Sequence, residues 1–128
     1  AVAAVTDSGF EALQVIEVDD PVDIVPSPFD DAALVVSGYS DAVFVLGYEP
    51  GAAEPFTLEG EPSYQGSSPQ LPAAGDVVTR GPLKGLVVIS ENQGLRRIWM
   101  EQGSVTDLGL SEFGSGLEYI PGALGVQP

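Results

Sequence analysis

The chain contains no cysteine and no histidine. Without cysteine there is no disulfide framework and no thiolate zinc site. Without histidine there is no imidazole to ligate a metal or to act as the base of a Ser-His-Asp triad. Basic residues are scarce too: Arg80, Lys84, Arg96 and Arg97 stand against 19 acidic residues, for a formal net charge of −15. A duplex-binding protein needs a basic stripe that displaces counterions from phosphates, so no nucleic acid partner is expected. The same charge disfavours anionic membrane surfaces. No apolar run approaches the ~18 residues of a spanning helix, so no membrane insertion is expected either. There is no Gly-x-Ser-x-Gly elbow, and the glycines around Ser115 lack the lysine of a phosphate-binding loop.

What is present is a core-forming composition broken into short pieces. At 128 residues and 44% hydrophobic, the chain has the size and apolar content of one ordinary domain. Sixteen Gly and eleven Pro punctuate it every few residues, which forbids long helices and favours short strands joined by turns. The chain opens on Ala1, without Met or a cationic leader, as a trimmed or excised segment would. The lack of cysteine is compatible with export, and the expectation is of an exported protein, extracellular or periplasmic.

One sentence recurs in the sequence. Ala32–Tyr48 (AALVVSGYSDAVFVLGY) returns as Lys84–Glu101 (KGLVVISENQGLRRIWME) and, more faintly, as Val2–Val18 (VAAVTDSGFEALQVIEV). Each copy reads as an apolar strand, a small polar turn and a second apolar strand. The first strands align as Ala3–Val5, Leu34–Val36 and Val87–Ile89. The second strands align so that Val15, Val45 and Ile98 coincide, as do Ile16, Leu46 and Trp99. Neither strand alternates cleanly, as in sheets covered on both faces. A further motif, acidic–apolar–apolar–Pro/Thr, occurs at Asp23–Pro26, Asp76–Thr79 and Glu118–Pro121. Additional strands are expected at Phe56–Glu59 and Ser104–Leu110.

Strand, strand, turn, strand and outer strand recurring every ~40–50 residues is the pattern of a propeller blade. The run from Asp23 to Gly38 (DIVPSPFDDAALVVSG) resembles the repeat of the YVTN/NHL and lactonase-like propellers, with Phe29–Asp30–Asp31 at its turn. The fold expected is therefore all-β, with propeller-like blades, about three, in an incomplete ring. The divisions are a partial blade at 1–20, a blade at 21–75 with an inserted loop at 49–74, a blade at 76–116, and the start of the next at 117–128. Three blades do not close a ring, so completion by another copy or by the remainder of a propeller is expected. A β-sandwich with a coincidental repeat is the competing fold, and it would alternate inner and outer faces more cleanly.

Asp23, Asp76 and Glu118 start the expected inner strands, which would line a central channel. A ring of such hard oxygen ligands suits Ca²⁺. In the propellers that this chain resembles, a central metal polarises the substrate, so the resemblance implies a calcium-dependent, lactonase-like hydrolase as the alternative function. No spacing singles out a catalytic pair or a cofactor site. The leading expectation is a non-enzymatic binding or assembly module whose ligand is a small molecule or a protein. Asp19, Asp20, Asp30 and Asp31 read as turn formers. Trp99 reads as packing between blades, and Arg96 and Arg97 as partners in surface salt bridges.

Overall fold

The computed structural model describes residues 2–6 and 9–112. Among these the architecture is all-β, without helix. A hairpin of β1 (Val2–Thr6) and β2 (Gly9–Gln14) precedes two four-stranded antiparallel sheets. The first contains β3 (Pro21–Pro26), β4 (Ala33–Ser37), β5 (Ala42–Tyr48) and β6 (Phe56–Leu58). The second contains β7 (Ala74–Val77), β8 (Leu86–Ser90), β9 (Gly94–Glu101) and β10 (Ser104–Glu112). In both, spatial order follows chain order, so each is a simple meander. No closed ring is formed by the described residues.

The strands form where β-branched and other apolar residues run between turn formers. Between β3 and β4, the Asp30 carboxylate accepts the Ala32 N–H, and Ser27 N–H donates to the Ala32 carbonyl. Between β8 and β9, Glu91 N–H reaches the Gly94 carbonyl. The pairings Leu34↔Val45 and Val87↔Ile98 are equivalent in the two sheets. The repeat in sequence is thus a repeat in register.

One core joins the sheets. Val25, Leu34, Val36 and Val43 of the first pack with Val77, Val87, Ile89, Ile98 and Met100 of the second in a single buried cluster. Each such side chain contributes roughly 1.5–3 kcal/mol by leaving water. In β9 inward and outward residues alternate: Arg96, Ile98 and Met100 are buried, whereas Arg97 and Glu101 are exposed. The first strands of the two sheets, β3 and β7, lie against each other. Gly75 permits this approach, since a Cβ there would sit 2.9 Å from Val25 Cγ2 and 3.3 Å from Ile89 Cγ1.

The faintest copy departs furthest from the expected pattern. Strand β2 ends at Gln14, so Val15 lies beyond it and is 71% exposed instead of matching the inward Ile98. The Gln14 side-chain amide turns to β6. It donates to the Phe56 carbonyl at 2.7 Å and accepts the Phe56 N–H at 3.0 Å, covering the edge of β6 as another strand would.

Candidate functional site

The 61–72 segment, which carries the chain from β6 to β7, bonds to both sheets. Its Tyr64 hydroxyl accepts the Val43 N–H of β5 at 3.0 Å and donates to Glu61 at 2.7 Å. Val43 lies beyond the short β6, so its N–H would otherwise lack a strand partner. Towards the second sheet, Arg96 of β9 donates to Glu91 Oε2 at 2.6 Å, to Asp107 Oδ2 at 2.9 Å and to the Ser67 carbonyl at 2.8 Å. The Arg96 guanidinium also lies 5.4 Å from the centre of the Tyr64 ring. The carboxylates then hold the segment's backbone: Asp107 accepts from Gln65 N–H at 2.7 Å and Glu91 from Gln70 N–H at 2.9 Å.

Arg96 and Glu91 are completely buried and Asp107 nearly so. Arg96 therefore corrects the expectation of a surface salt bridge. Burial works against its charge, but the hydrogen bonds and charges of Glu91 and Asp107 outweigh that cost and raise the guanidinium above its ordinary pKa. Tyr64 is likewise pushed up, first by burial and then by its bond to Glu61, so it stays a neutral phenol. Trp99 is half-buried on the face of β9 opposite Ile98, and its indole N–H donates to Glu101 at 2.6 Å.

Further along the same strands the space between the sheets opens into a cleft of about 500 Å³. Its apolar walls are Val45, Met100 and Val105, and its polar lining includes five carboxylates: Asp30, Asp31, Glu59, Glu61 and Glu101. No Lys or Arg lines it. Burial raises the pKa of Asp30, but N–H donors from Ala32 and Gly103 and the Ser27 hydroxyl outweigh this and hold the carboxyl below its ordinary value. The arrangement suits retention of cationic groups.

The expected metal-binding residues are distributed as follows. Asp23 Oδ1 accepts Ile24 N–H and its Oδ2 accepts Gly75 N–H, both at 2.9 Å, so the carboxylate ties β3 to β7. Asp76 accepts Val77 N–H at 2.9 Å. Asp23 pairs with Val36 and Asp76 with Val88, whereas the repeat makes Val36 equivalent to Ile89. The two aspartates are therefore one register step apart, and one step turns a side chain to the opposite face. Glu118 lies outside the described residues. Among those described, no group of three or more carboxylates is placed to hold a metal ion.

Compared with known proteins, the chain matches no family model, no curated protein and no solved structure.

Proposed function

We propose that this chain is a non-enzymatic assembly and binding module, whose meanders act as propeller-like blades and associate with another copy. The observation that carries the reading is the repeated packing unit. Two meanders with equivalent register pack face to face, their first strands side by side, and the second keeps a further apolar face turned outward. On that outward face Leu86, Val88, Leu95 and Trp99 are only half-buried. A repeat unit is stabilised by a neighbour against each such face, and an added copy supplies one. The acidic cleft between the sheets is then a place for cationic groups of a ligand.

Light scattering at low and at physiological salt tests this reading. The expected result is a mass of two or more copies that grows with salt, because −15 on each chain opposes association and is screened by ions. Trp99→Lys should return the protein to a monomer with its β circular-dichroism signal intact. A sharp monomer in both salts with a full β signal would overturn the assembly.

A further inference from the structure

Backbone strain in this molecule is gathered at one end. Among the described residues, the non-glycine positions with left-handed backbone are Asp20, Asp41 and Leu71, at φ of 42°, 49° and 47°. They come from three separate segments that meet around the turn after β4. Gly38 N–H donates to the Asp20 carbonyl at 3.0 Å, and Leu71 N–H donates to Asp41 Oδ1 at 2.8 Å. A Cβ on Gly38 would come within 3.5 Å of both Val22 Cγ1 and the Pro72 carbonyl oxygen. Leucine in this conformation is unusual, because its Cβ crowds the backbone where Gly or Asn would fit with less strain. Such strain persists where the surrounding structure holds it, and it concentrates at ligand-contacting surfaces.

The strained end displays large apolar side chains. Tyr39 is 81% exposed, Leu71 52% and Val22 40%. Next to Tyr39, on the first sheet, lies a groove of about 510 Å³ with Val18, Phe44 and Leu58 as apolar lining and Glu17, Asp19 and Ser40 as polar lining. Apolar contact area bordered by carboxylates selects its partner by charge. Glu17 and Asp19 at its rim favour a partner that brings Lys or Arg, and they repel phosphate-rich surfaces.

We infer that the groove beside Tyr39, together with exposed Tyr39 and Leu71, docks a basic segment of a partner protein, with an apolar residue in the groove and Lys or Arg against Glu17 and Asp19. This goes beyond association between copies and does not require it, since the groove is lined from the first sheet and the segment before it, and the assembly face lies on the second.

The probe is a short fluorescein-labelled peptide with arginines flanking a Leu-Trp pair, titrated into the intact chain and followed by anisotropy. A peptide with the same arginines but Ser in place of Leu and Trp is the control, and should bind about tenfold more weakly. Tyr39→Ser with Leu71→Asn should weaken the parent peptide by about tenfold while leaving its salt dependence unchanged. Because Asn tolerates left-handed backbone, the melting temperature should not fall. Glu17→Gln with Asp19→Asn should weaken binding and flatten the salt dependence. Equal affinity for the two peptides would overturn the inference by reducing it to bulk charge. So would unchanged binding in either double variant, or self-association through Tyr39. Failure of the assembly reading would instead appear as a monomer in light scattering, with peptide binding intact.

Discussion

Arg96 lies between Glu91 and Asp107 with all three side chains out of water, while a few residues along the same sheets Asp31, Glu59 and Glu101 face an open cleft that no Lys or Arg lines. The chemistry is similar and the setting is opposite. In the buried cluster each charge has a partner, and the carboxylates also accept backbone N–H groups from the 61–72 segment. In the cleft Asp31, Glu59 and Glu101 are exposed, and none of them has a cation in the lining. Burial thus separates two kinds of carboxylate: the paired ones hold the segment to the second sheet, and the exposed ones give the cleft its negative field.

The hardest test of that division is Arg96→Met. It leaves Glu91 and Asp107 buried without a cation and should cost about 3–5 kcal/mol in chemical denaturation, enough to unfold a marginal domain. Adding Glu91→Gln and Asp107→Asn should restore a large part of the loss, because the uncompensated charges are then gone. If Arg96→Met costs no more than a surface substitution, the cluster is not the fastener described. Tyr64→Phe ranks next. It removes the acceptor for Val43 N–H and the bond to Glu61, for an expected loss of about 1–3 kcal/mol. Hydrogen exchange at Val43 should accelerate in step.

The strands were legible in the sequence because apolar runs and Gly/Pro punctuation act locally. Leu34–Val36 and Val87–Ile89 both fall inside the strands expected of them. Arg96 was not legible, since an arginine is ordinarily a surface residue. Its parity with Ile98 and Met100, two and four positions on, was the available signal, but an inward arginine requires acids from distant parts of the chain. The alignment of Asp23 with Asp76 meets a different obstacle. Aligning by acidic residue places Asp23 with Asp76, while the ladders place them one step apart. Such a shift is invisible without pairing, and β3 carries a register irregularity between Pro21 and Asp23. The cleft is not legible in the sequence, because it joins the turn before β4 to the one after β9, and such proximity is tertiary.

Asp30 sharpens the comparison from the cleft side, because it is the carboxylate there whose pKa is depressed. A folded-state pKa below the unfolded value gives stability that is present above the ordinary carboxylate pKa of about 4 and is lost as pH falls through the folded value. Asp30→Asn should therefore cost about 0.5–1.5 kcal/mol at pH 6, where the ionised side chain accepts from Ala32 and Gly103 N–H groups. In urea denaturation at decreasing pH, parent and variant should converge as Asp30 protonates. A difference that stays constant down to the acid limit would mean that the bonds do not depend on ionisation.

The smallest effects should come from Asp31→Asn and Glu59→Gln, and their sign is the informative part. Both side chains are exposed and line the same strongly negative cleft. Removing either charge relieves repulsion, so stability should rise by a few tenths of a kcal/mol at low ionic strength, within the roughly 0.5 kcal/mol typical of surface changes. At about 1 M salt, where the screening length is roughly 3 Å, the gain should disappear. A loss in place of the gain would mean that these carboxylates hold structure as Glu91 and Asp107 do, and the contrast between the two ends would collapse. A gain that salt abolishes would leave them as solvated charge, placed to meet a cationic group.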